Sequence, residues 1–219
     1  MTTSINTIKL GIVNCYLIHS DDSFVLIDTG YAYQRELLEK ALIEYGCTPG
    51  QLKLIVLTHG DADHVGNAAY LRDLYNTKVG IHKLDSLMIE TGDDSKSRKT
   101  KPDHLSLLFK VIRKLDLLSK QSKMEPFKAD LYLEEGQNLV EYGLEANIVY
   151  VPGHTNGSIG ILTKDGDFFC GDLIYNLPGF GYIDDSVKHQ ESIERIKQLH
   201  PRMIYPGHGK AFQLRSLKR

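Results

Sequence analysis

His59-Gly60-Asp61-Ala62-Asp63-His64 follows directly on the apolar run Leu54-Ile55-Val56-Leu57. Four potential metal ligands stand within six residues, at the exit of what reads as a buried strand. Imidazole and carboxylate are ligands that zinc, iron and manganese accept, and catalytic versions of such sites leave positions open for water. The competing reading is a polar loop that caps the following helix, with Asp63 as N-cap for Val65 onward.

The same unit recurs along the chain. Pro152-Gly153-His154-Thr155 follows Ile148 to Val151, Cys170-Gly171-Asp172 follows Phe168-Phe169, and Pro206-Gly207-His208-Gly209 follows Met203-Ile204-Tyr205. Each is a short β-like run, a glycine, and one ligand-type residue at the exit. The glycine lets the backbone turn or approach closely, so that a side chain is aimed at a shared centre. Four such units in order point to a multi-ligand metal centre.

With these motifs the chain resembles the metallo-β-lactamase superfamily of metallo-hydrolases, in particular its glyoxalase II and N-acyl-homoserine lactonase branches. That family's ordered signature is H-x-H-x-D-H, then a lone His, a lone Asp and a lone His. The resemblance runs from the opening strands near Ile8 to His208 and takes in Asp28-Thr29-Gly30 after Phe24-Val25-Leu26-Ile27. It implies an α/β protein, a four-layer αββα sandwich with the metals at one edge. It also implies two divalent metal ions, zinc first, with iron or manganese as alternatives. His59, Asp61 and His154 would form the first site, Asp63, His64 and His208 the second, and Asp172 would bridge them.

Asp61 departs from the signature, standing where the family usually has its second histidine. Two readings compete: Asp61 ligates the first metal as a carboxylate, or it is too short to reach and that site is weakened. Flavodiiron proteins of the same superfamily place a carboxylate there, which favours ligation and a harder metal. Two divalent ions bring +4, while Asp61, Asp63, Asp172 and a bridging hydroxide bring −4, so the core is neutral rather than +1. A less positive core is a weaker Lewis acid and lowers the pKa of bound water less.

At 219 residues and 42% hydrophobic content, the chain reads as a single domain, 1–219, with enough length for a large core. A net charge of −2 gives no general attraction to nucleic acid or anionic membrane. No apolar run approaches the ~20 residues that cross a bilayer. Met1-Thr2-Thr3-Ser4-Ile5-Asn6 has neither a basic nor an apolar leader pattern. Cys15, Cys47 and Cys170 are scattered and odd in number. A cytoplasmic protein with reduced thiols is therefore expected, Cys170 reading as a buried strand thiol before a soft ligand.

The apolar periodicity predicts strands over Ile8–His19, Ser23–Ile27, Leu54–Leu57, Lys78–His82, Leu144–Val151, Ser158–Thr163, Asp167–Cys170 and Met203–Tyr205. Helices are predicted over Gln34–Tyr45, Val65–Tyr75 and Val187–Leu199. Lys164-Asp165-Gly166 reads as a hairpin turn. A segment from about Met88 to Lys128 breaks the alternation and reads as a helical insertion. Leu105, Leu108, Phe109, Ile112, Leu115 and Leu118 recur at helical spacing within it. Residues 93–128 hold ten Lys/Arg against five Asp/Glu, and the segment reads as a lid or homodimer contact, or as a packed helix with a solvated basic face. His19, His82, His104, His189 and His200 are not expected to be ligands, and His200 is placed to bond terminal carbonyls at a helix end.

The physical logic of the centre is metal-assisted hydrolysis of a small ester, thioester or lactone. A metal-bound water loses its proton near neutral pH and attacks a carbonyl polarised by the other metal. Asp63 would orient that water and Asp172 fix the metal–metal distance. Tyr175, three residues after Asp172, is similar to a lactonase tyrosine whose hydroxyl binds substrate oxygen; it also reads as a core aromatic. Asn176 to Tyr182 forms a loop bordering the pocket. The expected partner is a small-molecule substrate, anionic in one reading. An iron-dependent redox enzyme of dioxygenase or flavodiiron type is the second reading. A nucleic-acid role rests on the basic segment and the Arg215–Arg219 tail, without the interleaved aromatics of a single-strand platform.

Overall fold

The structure is a computed structural model that describes residues 3–111, 114, 124–179 and 181–216. In chain order its elements are β1 (Thr3–Leu10), β2 (Val13–Ser20), β3 (Ser23–Ile27), α1 (Arg35–Glu44), β4 (Leu52–Val56), α2 (Ala62–Val65), α3 (Ala68–Tyr75) and β5 (Lys78–Ile81). There follow α4 (Ser86–Thr91), β6 (His104–Leu105), a helical stretch α5 at 107–111, β7 (Leu131–Tyr132) and β8 (Ala146–Tyr150). The last are β9 (Ile159–Thr163), β10 (Asp167–Gly171), β11 (Tyr182–Ile183), α6 (Ser186–Leu199) and β12 (Met203–Pro206).

One sheet has the order β1-β2-β3-β4-β5-β7 and the other β12-β10-β9-β8. Successive side chains of a strand point to opposite faces, and the core is sorted accordingly. Cys15, Leu17, Phe24 and Leu26 face a cluster with Leu38 and Leu42 of α1 and Leu71 and Tyr75 of α3. Tyr16, Ile18, Val25 and Ile27 face the other way, onto Ile148, Ile159, Ile161 and Phe169 of the second sheet. The outer face of that sheet, with Val149, Phe168 and Ile204, packs on Ile196 of α6. The four layers are therefore helix, sheet, sheet, helix. Among the described residues no helix is long and apolar enough to cross a membrane.

Two of the expected elements are interrupted in the structure. Ile8–His19 is not one strand but parts of β1 and β2, with Leu10 paired to Val13. Gly11 at φ +66 makes the reversal, hidden in the sequence because apolar residues flank it on both sides. The helix expected over Val65–Tyr75 is broken between α2 and α3. There the Asn67 side chain donates to the carbonyls of Thr29 (2.7 Å) and Tyr31 (2.9 Å), and a Cβ on Gly66 would collide with the backbone of Gly30 to Ala32.

The segment after β5 is closed at its base. Met88, Ile89, Met124 and Phe127 are buried, and Phe127 N–H donates to Ile89 O at 3.0 Å. Leu105, expected on a helix, lies in β6 opposite Tyr182 of β11, so the segment and the loop after Tyr175 form one two-stranded ribbon. The helix is described at 107–111, where Leu107 and Val111 are exposed. Ile112, Leu115 and Leu118 lie outside the described residues. The C-terminal ends of β3, β4, β8, β10 and β12 open on one edge of the sandwich, and the candidate ligands follow those ends.

Candidate metal centre

Asp28 closes β3 in the left-handed conformation, φ +58. Its carboxylate accepts from Thr58 N–H and Thr58 Oγ (both 2.8 Å) and meets His64 Nδ1 at 2.8 Å. This pins the exit of β4, where His59 follows Thr58. Asp63 does not cap a helix beginning at Val65, because α2 begins at Ala62 and carries Asp63 and His64 within its single turn. Asp61 occupies the N-cap position, but its side chain makes no cap bond. It is turned into the centre.

Two clusters result, one of His59, His154 and Asp172 and one of Asp63, His64 and His208; in each, one ligand-type atom per residue lies within 4.8 Å of the others. Asp172 faces both: Oδ1 is 3.4 Å from His64 Nε2, and Oδ2 is 3.2 Å from His208 Nε2 and 3.9 Å from His154 Nε2. The histidines are held from behind. Nδ1 of His59 meets Thr58 Oγ (3.0 Å), that of His64 Asp28 (2.8 Å), that of His154 the Tyr182 carbonyl (3.0 Å) and that of His208 the Ile12 carbonyl (2.9 Å). Their Nε2 atoms turn inward. His59 Nε2, His64 Nε2 and Asp172 Oδ1 are buried with no hydrogen-bond partner among the described residues. Buried polar atoms are normally satisfied, and Nδ1 held by an outer acceptor is the usual setting of a metal-ligating imidazole. The donor set fits divalent cations.

Asp61 borders the first cluster with Oδ2, 3.0 Å from His154 Nε2 and 3.5 Å from His59 Nε2. It thus touches both imidazoles, while standing outside the two groups of three. Its Oδ1 is paired with Arg98, a residue that the motif reading passed over. Arg98 also donates from Nη1 to His154 O (3.1 Å) and from Nε to Asp94 O (2.9 Å), and its guanidinium lies 4.4 Å from the Tyr182 ring centroid. No spacing marks it; it is one cation in a charged stretch. Asp28 was visible in the sequence as part of a strand-and-turn element, without its role.

Electrostatics follow from this packing. Burial pushes the Asp61 carboxyl up, but Arg98 and His59 outweigh it and hold it well below the carboxylate range. Asp172 is likewise held low against its burial by His208 and His64. Burial pulls the His208 imidazole down, and Asp172 and Asp63 override it, taking it up to about 10.

Tyr175 is placed beside His154, its hydroxyl 2.9 Å from Nδ1 and 3.3 Å from the Tyr182 carbonyl. Burial, with Asp172 and Asp61 nearby, raises the phenol well above its ordinary value, so it keeps its proton. Cys170 points its thiol at the carbonyls of Gly171 and Ile174. His189 donates to Leu173 O at 2.7 Å, His19 stacks on Phe24 and His82 on Tyr150. His200 caps α6 through its backbone N–H in a left-handed conformation, rather than through its ring.

A helix-flanked pair of sheets with two His/Asp clusters at the strand exits agrees with what the sequence comparison finds: residues 8–208 match the metallo-beta-lactamase superfamily, to which the chain belongs. Among its relatives, the Drosophila melanogaster beta-lactamase-like protein 2 homolog is 27% identical over 209 residues, covering 91% of this chain and 59% of the relative. The chain spans 55% of the length of the corresponding Caenorhabditis elegans protein, so it covers little more than half of these two relatives. Hydroxyacylglutathione hydrolase GloC of Haemophilus influenzae is 26% identical over 175 residues, 78% of this chain and 70% of the relative. Human acyl-coenzyme A thioesterase MBLAC2 is 26% identical over 218 residues, 91% of this chain and 74% of the relative. Of solved structures, BLEG-1 B3 metallo-beta-lactamase superposes with a TM-score of 0.71 at 24% identity, covering 96% of this chain and 94% of its own. TTHA1623 in a di-iron-bound form gives 0.66 at 26% identity, with 95% and 94% covered.

Proposed function

We propose that this centre holds two divalent metal ions and that the protein is a hydrolase of a small ester, thioester or lactone. His59, Asp61 and His154 would hold one ion, Asp63, His64 and His208 the other, with Asp172 shared. The observation that carries the reading is the convergence of buried atoms without partners, His59 Nε2, His64 Nε2 and Asp172 Oδ1, each on a side chain fixed from behind or shared between clusters. Ions bound there would supply an acidified water and polarise a carbonyl.

The chain's own groups divide the remaining work. Asp63 Oδ2 lies 3.4 Å from His208 Nε2, and the side chain is 17% exposed; its other oxygen is the acceptor assigned to a hydrogen of the attacking water. Tyr175 keeps its proton and steadies His154; to donate to a substrate oxygen its hydroxyl must leave the Tyr182 carbonyl. Thioesters stand first among substrates, because two relatives are named a hydroxyacylglutathione hydrolase and an acyl-coenzyme A thioesterase. The excess of Lys and Arg over 93–128 supports an anionic substrate, and exposed Leu107 and Val111 support self-association through this segment. Buried free cysteines favour a reducing compartment such as the cytoplasm. Zinc is the first choice of ion. The Asp61 carboxylate, with the di-iron form of a similar structure, favours iron as the alternative and with it a redox reading.

The test is metal analysis of protein purified without chelator, followed by assays against thioester, ester and lactone panels. More than one equivalent of metal and chelator-sensitive hydrolysis are expected. Metal-loaded protein that hydrolyses none of them but consumes oxygen would move the assignment to redox chemistry. Less than one equivalent would reject the two-ion centre.

A further inference from the structure

We propose that Asp61 and Arg98 work as one unit, in which Arg98 cancels the charge of Asp61 so that the pair enters the first cluster as an electrically neutral donor, as an imidazole would. The inference rests on the proposed metal centre and goes beyond it by giving a role to a residue outside every ligand motif.

Three observations carry it. The Asp61 carboxylate divides its oxygens, Oδ2 facing His154 and His59 and Oδ1 facing Arg98, so the ion pair leaves one oxygen for a metal. Arg98 is fixed independently of Asp61 by the carbonyls of Asp94 and His154 and by the Tyr182 ring, so its charge stays in place when Oδ2 takes an ion. Its side chain is 6% exposed, where a neighbouring charge is felt strongly rather than screened. Counting two divalent ions, the seven ligand positions and a bridging hydroxide leaves the core formally neutral. Counting Arg98 restores the single positive charge that a histidine at position 61 would have given. The carboxylate and its buried cation then compensate each other, and Arg98 is a positioning residue for the charge of the first cluster.

The test is a cycle of Arg98→Gln, Asp61→His and the double variant, with Arg98→Lys as the conservative control. Each metal-free protein is titrated with zinc(II) and with cobalt(II), whose absorption reports ligand number, and melted without metal. Arg98→Gln should tighten the first-cluster ion by about tenfold or more, because Asp61 is left uncompensated. Asp61→His should weaken it by a similar factor and lower the metal-free melting temperature, because Arg98 loses its buried partner. The double variant should return within about threefold of wild type, which is the non-additivity of a coupled pair. Arg98→Lys keeps the charge and should also stay within about threefold, despite losing the planar fork.

Unchanged or weaker binding in Arg98→Gln, or single effects that simply add in the double variant, would overturn the proposal. So would a wild type that takes one ion where Arg98→Gln takes two, because Arg98 would then be excluding an ion. If a single variant does not fold, the double variant and Arg98→Lys decide, since neither leaves a buried charge unpaired; a large departure of either from wild type overturns it. A wild type that binds no ion rejects the metal centre itself, and this assignment with it.

Discussion

Asp28 holds a left-handed backbone at φ +58, which is unfavourable for most side chains and tolerated best by Asn and Asp. The conformation sets one carboxylate against both Thr58 and His64. Asp28→Asn removes the charged acceptor behind His64, and outer-sphere changes of this kind typically cost about 10–100-fold in metal affinity. Competition with a chromophoric chelator should show that loss in the second cluster. Asp63→Ala should abolish turnover with the far-ultraviolet circular dichroism unchanged, because under the proposed function it removes both a metal donor and the group that orients water. His189→Ala should leave kcat within a few-fold: its ring bonds Leu173 O and belongs to neither cluster. Equal losses in the two variants would mean that the reacting centre lies elsewhere. The residues that gather in the two clusters were legible because each follows an apolar run and a turn, a pattern that short motifs preserve. The effect of Asp61 was not, because its counter-charge comes from Arg98, 37 positions away in a segment with no register. The ligand set alone predicts tighter zinc for Asp61→His, and the buried guanidinium reverses that sign.

Elements decide how closely these residues approach. Gly207 lies after β12 against Asp172 and His64, and any Cβ there would collide with the Asp172 carboxylate and the His64 ring. Gly207→Ala should therefore lower stability by about 1–3 kcal/mol through overpacking and weaken metal uptake at the same time. Melting curves with and without metal would separate the two effects, and an alanine variant with wild-type metal content would contradict the close approach. Asp185 caps α6 by accepting from Val187 and Lys188 N–H (both 3.1 Å) and pairs with Lys99 at 3.1 Å. Asp185→Ala should cost about 1 kcal/mol, seen calorimetrically as a fall of about 2–4 °C in Tm. The α6 and β3 boundaries were readable within a residue because periodicity, caps and breakers agree there. The β1–β2 reversal and the α2–α3 break were not. One turn is built from Gly11-Ile12 inside an apolar stretch, and the other is imposed by bonds from Asn67 to a loop more than thirty residues earlier.

The whole molecule buries its three thiols. Burial pushes Cys47 and Cys170 up from 9.0 to about 12, and raises Cys15 as well. Because the folded-state values lie above the unfolded one, their stabilising contribution is complete below pH 9.0 and is lost as pH rises toward 12. Native protein should not react with a thiol reagent at pH 8, should release three equivalents when denatured, and should lose stability above pH 9; a fast-reacting native thiol would contradict the buried assignment. At this scale the four layers were implied by the resemblance and by alternating apolar positions, whereas sheet order depends on pairings between distant strands that no local pattern encodes. One such long-range closure has a consequence in time. The turn between β1 and β2 offers the Ile12 carbonyl to His208, 196 positions later, and Asn14 binds the carbonyls of Pro206 and Gly209. A nascent chain emerging at roughly 5–20 residues per second makes the opening hairpin long before its partner exists. The centre cannot be completed until β12 has left the ribosome. Completion of the Asp63, His64 and His208 cluster is thus a late event in biosynthesis, and a nascent chain stalled before β12 would expose that cluster without His208 at the open edge of two sheets.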